Sequence, residues 1–180
     1  MLACLPTSKS WSMKRRHSIV IALLVSLFIY VFYRSEKTVV NELIILILSL
    51  EIYSGTKSII VNAVPLNKLI VFSLPGGLWI FCATALSQDF YVSIRNYKIQ
   101  LFLIPILFAI GLEFCQLIHL TNGRFDLWDI VFYSMFWLLA YYSYQFHHSK
   151  QNILSPFTLR GFTCLICFLS VYLAHVSYWI

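Results

Sequence analysis

The chain has 180 residues, of which 60% are hydrophobic, 17% aromatic and only 11% charged. Ordinary soluble domains carry about 25% charged residues, so this composition, with a mean hydropathy of +0.80, excludes a soluble globular fold and points to a polytopic membrane protein. The net charge of +6 then reflects Lys and Arg retained in cytoplasmic loops, and nucleic acid is not an expected partner.

Residues 1–17 are polar and basic, ending in Lys14, Arg15, Arg16 and His17, and Ile19–Tyr33 is an apolar run of 15 residues. No small-x-small cleavage site follows, because the chain continues Tyr33, Arg34, Ser35, Glu36, Lys37. The run therefore reads as an uncleaved first span with a cytoplasmic N-terminus.

Val39–Tyr53 has an apolar centre of eight residues, Leu43–Leu50, bounded by Glu42 and Glu51. A crossing needs about 20 residues, so this piece is expected to lie at the interface as a helix or to re-enter the membrane. Charge counting leans the same way. If the piece does not span, Lys9, Lys14, Arg15, Arg16, Arg95, Lys98, Lys150 and Arg160 fall inside, eight of 13 basic residues; if it spans, the count is seven.

Leu69–Ser87 is the second span, interrupted by Pro75, Gly76 and Gly77. Proline lacks a backbone donor and clashes with the preceding turn, which predicts a helix beginning near Pro75 with Leu69–Leu74 as a lead-in, or else a kinked span. Asp89–Lys98 reads as a short polar inside loop, Ile99–His119 as the third span, and Thr121–Phe125 as a turn built on Asn122-Gly123. Leu127–Phe146 is the fourth span, and Gly161–Ile180 the fifth, after an inside loop with His147, His148 and Lys150. The expected fold is all-α: a single transmembrane domain over 18–180, a bundle of about five spans with one short interfacial or re-entrant helix, behind a cytoplasmic N-terminus of residues 1–17.

Three of the seven acidic residues, Glu113, Asp126 and Asp129, cluster with Arg124 around one turn. Each ionisable side chain at membrane depth costs roughly 2.5–3.5 kcal/mol on insertion scales, so these groups should satisfy one another. Glu113 and Gln116 share a helix face. Asp126 suits an N-cap and Asp129 the first turn of the same helix. Arg124, with its planar fork, is placed to bridge the carboxylates. The acids Asp126 and Asp129 explain themselves as helix-start residues, whereas nothing local requires a carboxylate at Glu113.

Other chemistry is sparse. Cys164 and Cys167 have CxxC spacing without a second pair and read, with Cys4, Cys82 and Cys115, as small apolar residues. His119 reads as interfacial and His175 as a lone histidine on an apolar face. No two histidines have the i, i+4 spacing of a helical metal site, and there is no Gly-rich phosphate loop or nucleophile elbow, so neither a metal nor a cofactor is expected. Tyr30, Tyr33, Tyr91, Tyr141, Tyr142, Tyr144, Tyr178 and Trp179 fit aromatic belts at span ends.

At Glu113, Gln116, Gly123, Arg124, Asp126 and Asp129 the sequence resembles the VanZ-like family of small polytopic membrane proteins. That family carries Glu-x-x-Gln near the end of one span, then Gly-Arg and Asp-x-x-Asp. The Ser73–Trp79 stretch, SLPGGLW, is similar to an LP-x-x-LW segment of its relatives, with Gly76 where an aspartate is expected. The family's following Asn is Tyr133 here, and its helix glycines fall at Phe136 and Ala140, which predicts that close helix approach is lost there. The resemblance covers about 69–146 and implies a bacterial inner-membrane protein that influences the cell envelope or susceptibility to teicoplanin-like glycopeptides.

Three readings of function follow. The first is a non-enzymatic membrane protein whose polar intramembrane site, Glu113, Gln116, Arg124, Asp126 and Asp129, binds an envelope lipid, a lipid-linked envelope precursor or another membrane protein. The second is a membrane-embedded enzyme acting on a lipid-linked substrate with Glu113 or Asp129 as general base. The third is a small transporter component using Glu113.

Overall fold

The computed structural model describes residues 13–35, 38–94, 97–121, 124–144, 150–155 and 158–170. The Asn122-Gly123 reversal, Arg95, His147, His148, Cys4, most of the basic N-terminus, and residues 171–180 with His175, Tyr178 and Trp179 lie outside the described residues.

Among the described residues, two helices are long and apolar enough to cross a membrane: α1, Met13–Tyr33, and α4, Lys68–Ser87. They pack antiparallel. Near the start of α1, Arg15 pairs with Asp89 just beyond α4 at 3.0 Å and also donates to the Ala85 carbonyl. At the far end, Arg34 donates to the Phe72 carbonyl at 3.1 Å. Arg15 is buried, and its ring contact with Tyr144 adds a cation–π partner. Removing one member of such a buried pair costs about 3–5 kcal/mol, because the other charge is left uncompensated.

Helix α4 starts at Lys68 rather than near Pro75. Asn67 caps it by accepting the Leu69 N–H at 3.2 Å, and Pro75 sits inside one continuous helix. Proline disturbs the backbone ladder around it, and side chains of α1 serve that stretch: Arg34 bonds the Phe72 carbonyl, and the Ser26 hydroxyl donates to the Pro75 carbonyl at 3.5 Å.

The ambiguous segment is a bent pair, α2 (Val39–Leu48) and α3 (Leu50–Ala63), which runs ten residues beyond the expected piece. The two axes meet at 115° across Ser49. Ser49 has φ 68° and ψ 155°, a region that glycine tolerates and other residues enter only under strain. Thr38 caps α2 with its side chain. Asn41 Nδ2 donates to the Ser35 carbonyl at 2.7 Å, Tyr53 donates to the Val31 carbonyl, and Tyr33 donates to the Val64 carbonyl at 2.6 Å. Both ends of the pair therefore lie beside the C-terminal end of α1, so the segment leaves by the end at which it entered.

The expected third span, Ile99–His119, is instead a strand end, a 3₁₀ turn at Leu101–Leu103 and helix α5, Ile104–Leu117. Pro105 lies in its first turn, where its missing N–H costs nothing. Helix α5 closes with the Leu120 N–H on the Cys115 carbonyl and the His119 N–H on the Gln116 carbonyl, around a left-handed His119. Helix α6 is Leu127–Ser143, and α7 is Leu159–Leu169. With 14, 17 and 11 described residues, α5, α6 and α7 fall short of the usual crossing length. By length and hydropathy the described helices give two candidate spans, or three if α2–α3 counts as one, where five were expected.

The fold is also not purely helical. The stretch expected as a polar loop holds β1 (Phe90–Ile94), which pairs antiparallel with β2 (Tyr97–Gln100) and parallel with β3 (Gln151–Asn152), in the order β2-β1-β3. Phe90, Val92 and Ile94 alternate along β1, Ile99 of β2 stands opposite Val92, and Phe90 and Ile153 are buried in the core beside α4.

Helix α4 is the axis of the molecule. It is buried along Ile80–Ser87, where Cys82, Ala83, Thr84, Ala85 and Ser87 are small enough to admit α1, α6 and α7. The Trp79 indole donates to the Cys167 carbonyl at 2.8 Å, and Cys82, Cys164 and Cys167 are buried free thiols in this core. Helix α6 runs parallel to α4, from Gly76 against Tyr133 to Gln88, which donates to the Ala140 carbonyl. A Cβ added at Gly77 would stand 2.5 Å from Phe136 Cδ2, and one at Gly76 would stand 2.7 Å from Tyr133 Cε1. Close approach is therefore kept: the bulky residues are on α6 and the glycines opposite them on α4.

Candidate functional site

The polar cluster is assembled at the end of the molecule where α1 and α5 finish and α4 and α6 begin. Asp126 is the N-cap of α6, with its carboxylate accepting the Trp128 N–H at 2.9 Å, so the cap expected from sequence is present. Glu113, 3% exposed on α5, accepts the backbone N–H of Asp126 at 3.3 Å. Two carboxylates thus serve orphan donors at one helix start, where the helix dipole also favours negative charge. This answers why α5 carries a glutamate: its partner is on the next helix.

Asp129, one turn into α6, faces the Ser73 side chain of α4 and has a buried oxygen, Oδ1, with no hydrogen-bond partner among the described residues. Tyr133 follows one turn later and lies over Gly76. Gln116 and Arg124 complete the expected set. Arg124 forms no ion pair with Glu113, Asp126 or Asp129 among the described residues, so the anticipated bridge through Arg124 is not formed.

The arginine drawn into the cluster is Arg34. Its guanidinium lies 5.1 Å from the Tyr30 ring centre and 5.0 Å from that of Phe72, and it acts electrostatically on Asp129. Its Nε is buried without a hydrogen-bond partner among the described residues. In the sequence Arg34 reads only as the first residue after a span and Tyr30 as part of an aromatic belt. The available signal was positional: Arg34 directly follows an apolar run, and it lines the same cavity as Arg124.

All five expected site residues line one cavity of about 780 Å³, together with Arg34, Tyr30 and Tyr133. Apart from Ser26 and Ser170 its remaining wall is apolar, with Leu23 and Leu27 from α1, Phe72 and Trp79 from α4, and Phe108 and Leu112 from α5. A pocket of this size and make-up, apolar with a few convergent polar groups, suits a small amphipathic ligand. The acids do not converge into a set able to hold a metal ion among the described residues.

Compared with known protein families, curated proteins and solved structures, the chain matches none.

Proposed function

We propose that the chain is a non-enzymatic integral membrane protein of the VanZ-like type that binds an envelope lipid or lipid-linked precursor in this cavity. The observation that carries the reading is the joining of a charged cluster and an apolar wall in a single cavity of about 780 Å³. A headgroup fits the charged end, and an acyl chain fits along Leu23, Leu27, Phe108 and Leu112. Gly76 and Tyr133, which stand where the family pattern has two polar residues, lie against each other, so the two changes compensate.

In this reading the chain sits in the bacterial inner membrane with its N-terminus cytoplasmic. Helices α1 and α4 cross in opposite directions, the shorter α5, α6 and α7 run alongside them in alternating directions, and α2–α3 re-enters from the outer face. The sheet and the Arg15–Asp89 pair then lie at the inner face and the polar cluster at the outer face, where an envelope ligand is reached.

The test is to fill the cavity. Leu112→Trp adds bulk at a wall residue that is 37% exposed. Native mass spectrometry of the protein released from micelles should show phospholipid adducts on the parent and at least a several-fold loss of them on the variant.

A second reading, a membrane-embedded enzyme, is favoured by Asp129, a cavity-lining residue whose buried Oδ1 has no hydrogen-bond partner among the described residues. Asp129 would be the general base, whereas Glu113 is engaged by the Asp126 N–H. Headgroup release from a lipid-linked substrate by the purified protein, abolished in Asp129→Asn, distinguishes it from binding.

A further inference from the structure

The polar end of the cavity is incomplete in two complementary ways. Arg34 Nε is a buried donor and Asp129 Oδ1 a buried acceptor, each without a hydrogen-bond partner among the described residues, and both residues line the cavity. Buried polar groups are ordinarily paired, so a resident ligand that accepts at one point and donates at another would complete the site. The other acids are already engaged: Glu113 holds the Asp126 N–H, and Asp126 holds the Trp128 N–H. Arg34 spends Nη2 on the Phe72 carbonyl and keeps Nε. Arg124, exposed at the cavity, has no ion pair among the described residues.

A purely anionic ligand would meet Arg34 and Arg124 but bring no donor to Asp129 Oδ1, in a site with three carboxylates and two guanidiniums. A purely cationic ligand would bring no acceptor to Arg34 Nε or to Arg124. A zwitterion satisfies both. We propose, building on the lipid-binding reading above, that the cavity takes a phosphate–ammonium headgroup of the phosphoethanolamine kind. Its phosphate lies toward Arg34 and Arg124, where guanidinium forks bind such oxygens well, its ammonium donates to Asp129 Oδ1, and its acyl chain lies along Leu23 and Leu112.

The experiment offers full-length, detergent-solubilised protein equal amounts of phosphatidylethanolamine and phosphatidylglycerol with identical acyl chains, and reads adducts by native mass spectrometry. The expected result is a preference for the ethanolamine lipid of about tenfold, the scale of one charge-assisted hydrogen bond. Asp129→Asn should bring the ratio close to one, and Arg124→Gln should weaken both lipids alike. The parent ratio alone keeps the test decisive if Asp129→Asn fails to fold. Equal binding of the two lipids by the parent overturns the zwitterion assignment and leaves lipid binding standing. Retention of neither lipid overturns both. Displacement of the lipid by an equal concentration of free phosphoethanolamine overturns the acyl-chain part and assigns the site to a soluble headgroup.

Discussion

The Glu113 carboxylate accepts the backbone N–H of Asp126 at 3.3 Å, tying the end of α5 to the start of α6. Glu113→Ala leaves that N–H without its acceptor and should destabilise the protein by about 1–3 kcal/mol. Glu113→Gln keeps a carbonyl acceptor and should cost less than half as much. Thermal unfolding in detergent reads both. Equal losses in the two variants would show that the negative charge, rather than the acceptor, holds the junction.

The α4–α6 contact depends on two absent side chains. Gly77→Ala places a methyl 2.5 Å from the Phe136 ring, and overpacking of this kind typically costs about 1–3 kcal/mol. Phe136→Leu in the same chain should recover part of the loss. An additive double mutant in the unfolding assay would mean that the two positions do not share a contact.

The sequence made the local half of this site readable, and the long-range half stayed hidden. The Asp126 cap needs only its own next two residues, so it shows in the chain as written. Glu113 stood out because an acid within an apolar run needs a partner, although that partner proved to be a backbone N–H rather than Arg124. Arg34 belongs to the cluster only because α1 packs antiparallel to α4, and no spacing within α1 announces that. The same holds for Gly76 and Gly77, whose smallness was legible while the rings of Tyr133 and Phe136 that require it come from some 57 residues further on. The strand Phe90–Ile94 escaped because its parallel partner, Gln151–Asn152, is only two residues long and remote in sequence.

The bent α2–α3 pair makes a topological prediction. Ser35 and Val64 are exposed and lie beside the same end of α1. Cysteines placed at Ser35 and at Val64 should both react with a membrane-impermeant maleimide added from outside intact cells, and one at exposed Arg16 should react only after permeabilisation. Opposite sidedness of Ser35 and Val64 would mean that the pair crosses the membrane.

The most direct test of the cavity's role is to map where a lipid sits. One equivalent of phospholipid with a photoreactive group on its headgroup is added to the detergent-solubilised protein, irradiated, and the adducts are located by peptide sequencing. The account predicts adducts at the polar end of the cavity, on Arg34, Glu113, Asp129 or Tyr133, and their suppression by Leu112→Trp. Adducts confined to exposed apolar positions outside it, such as Ile21, Leu46 or Leu138, and unaffected by Leu112→Trp, would contradict it.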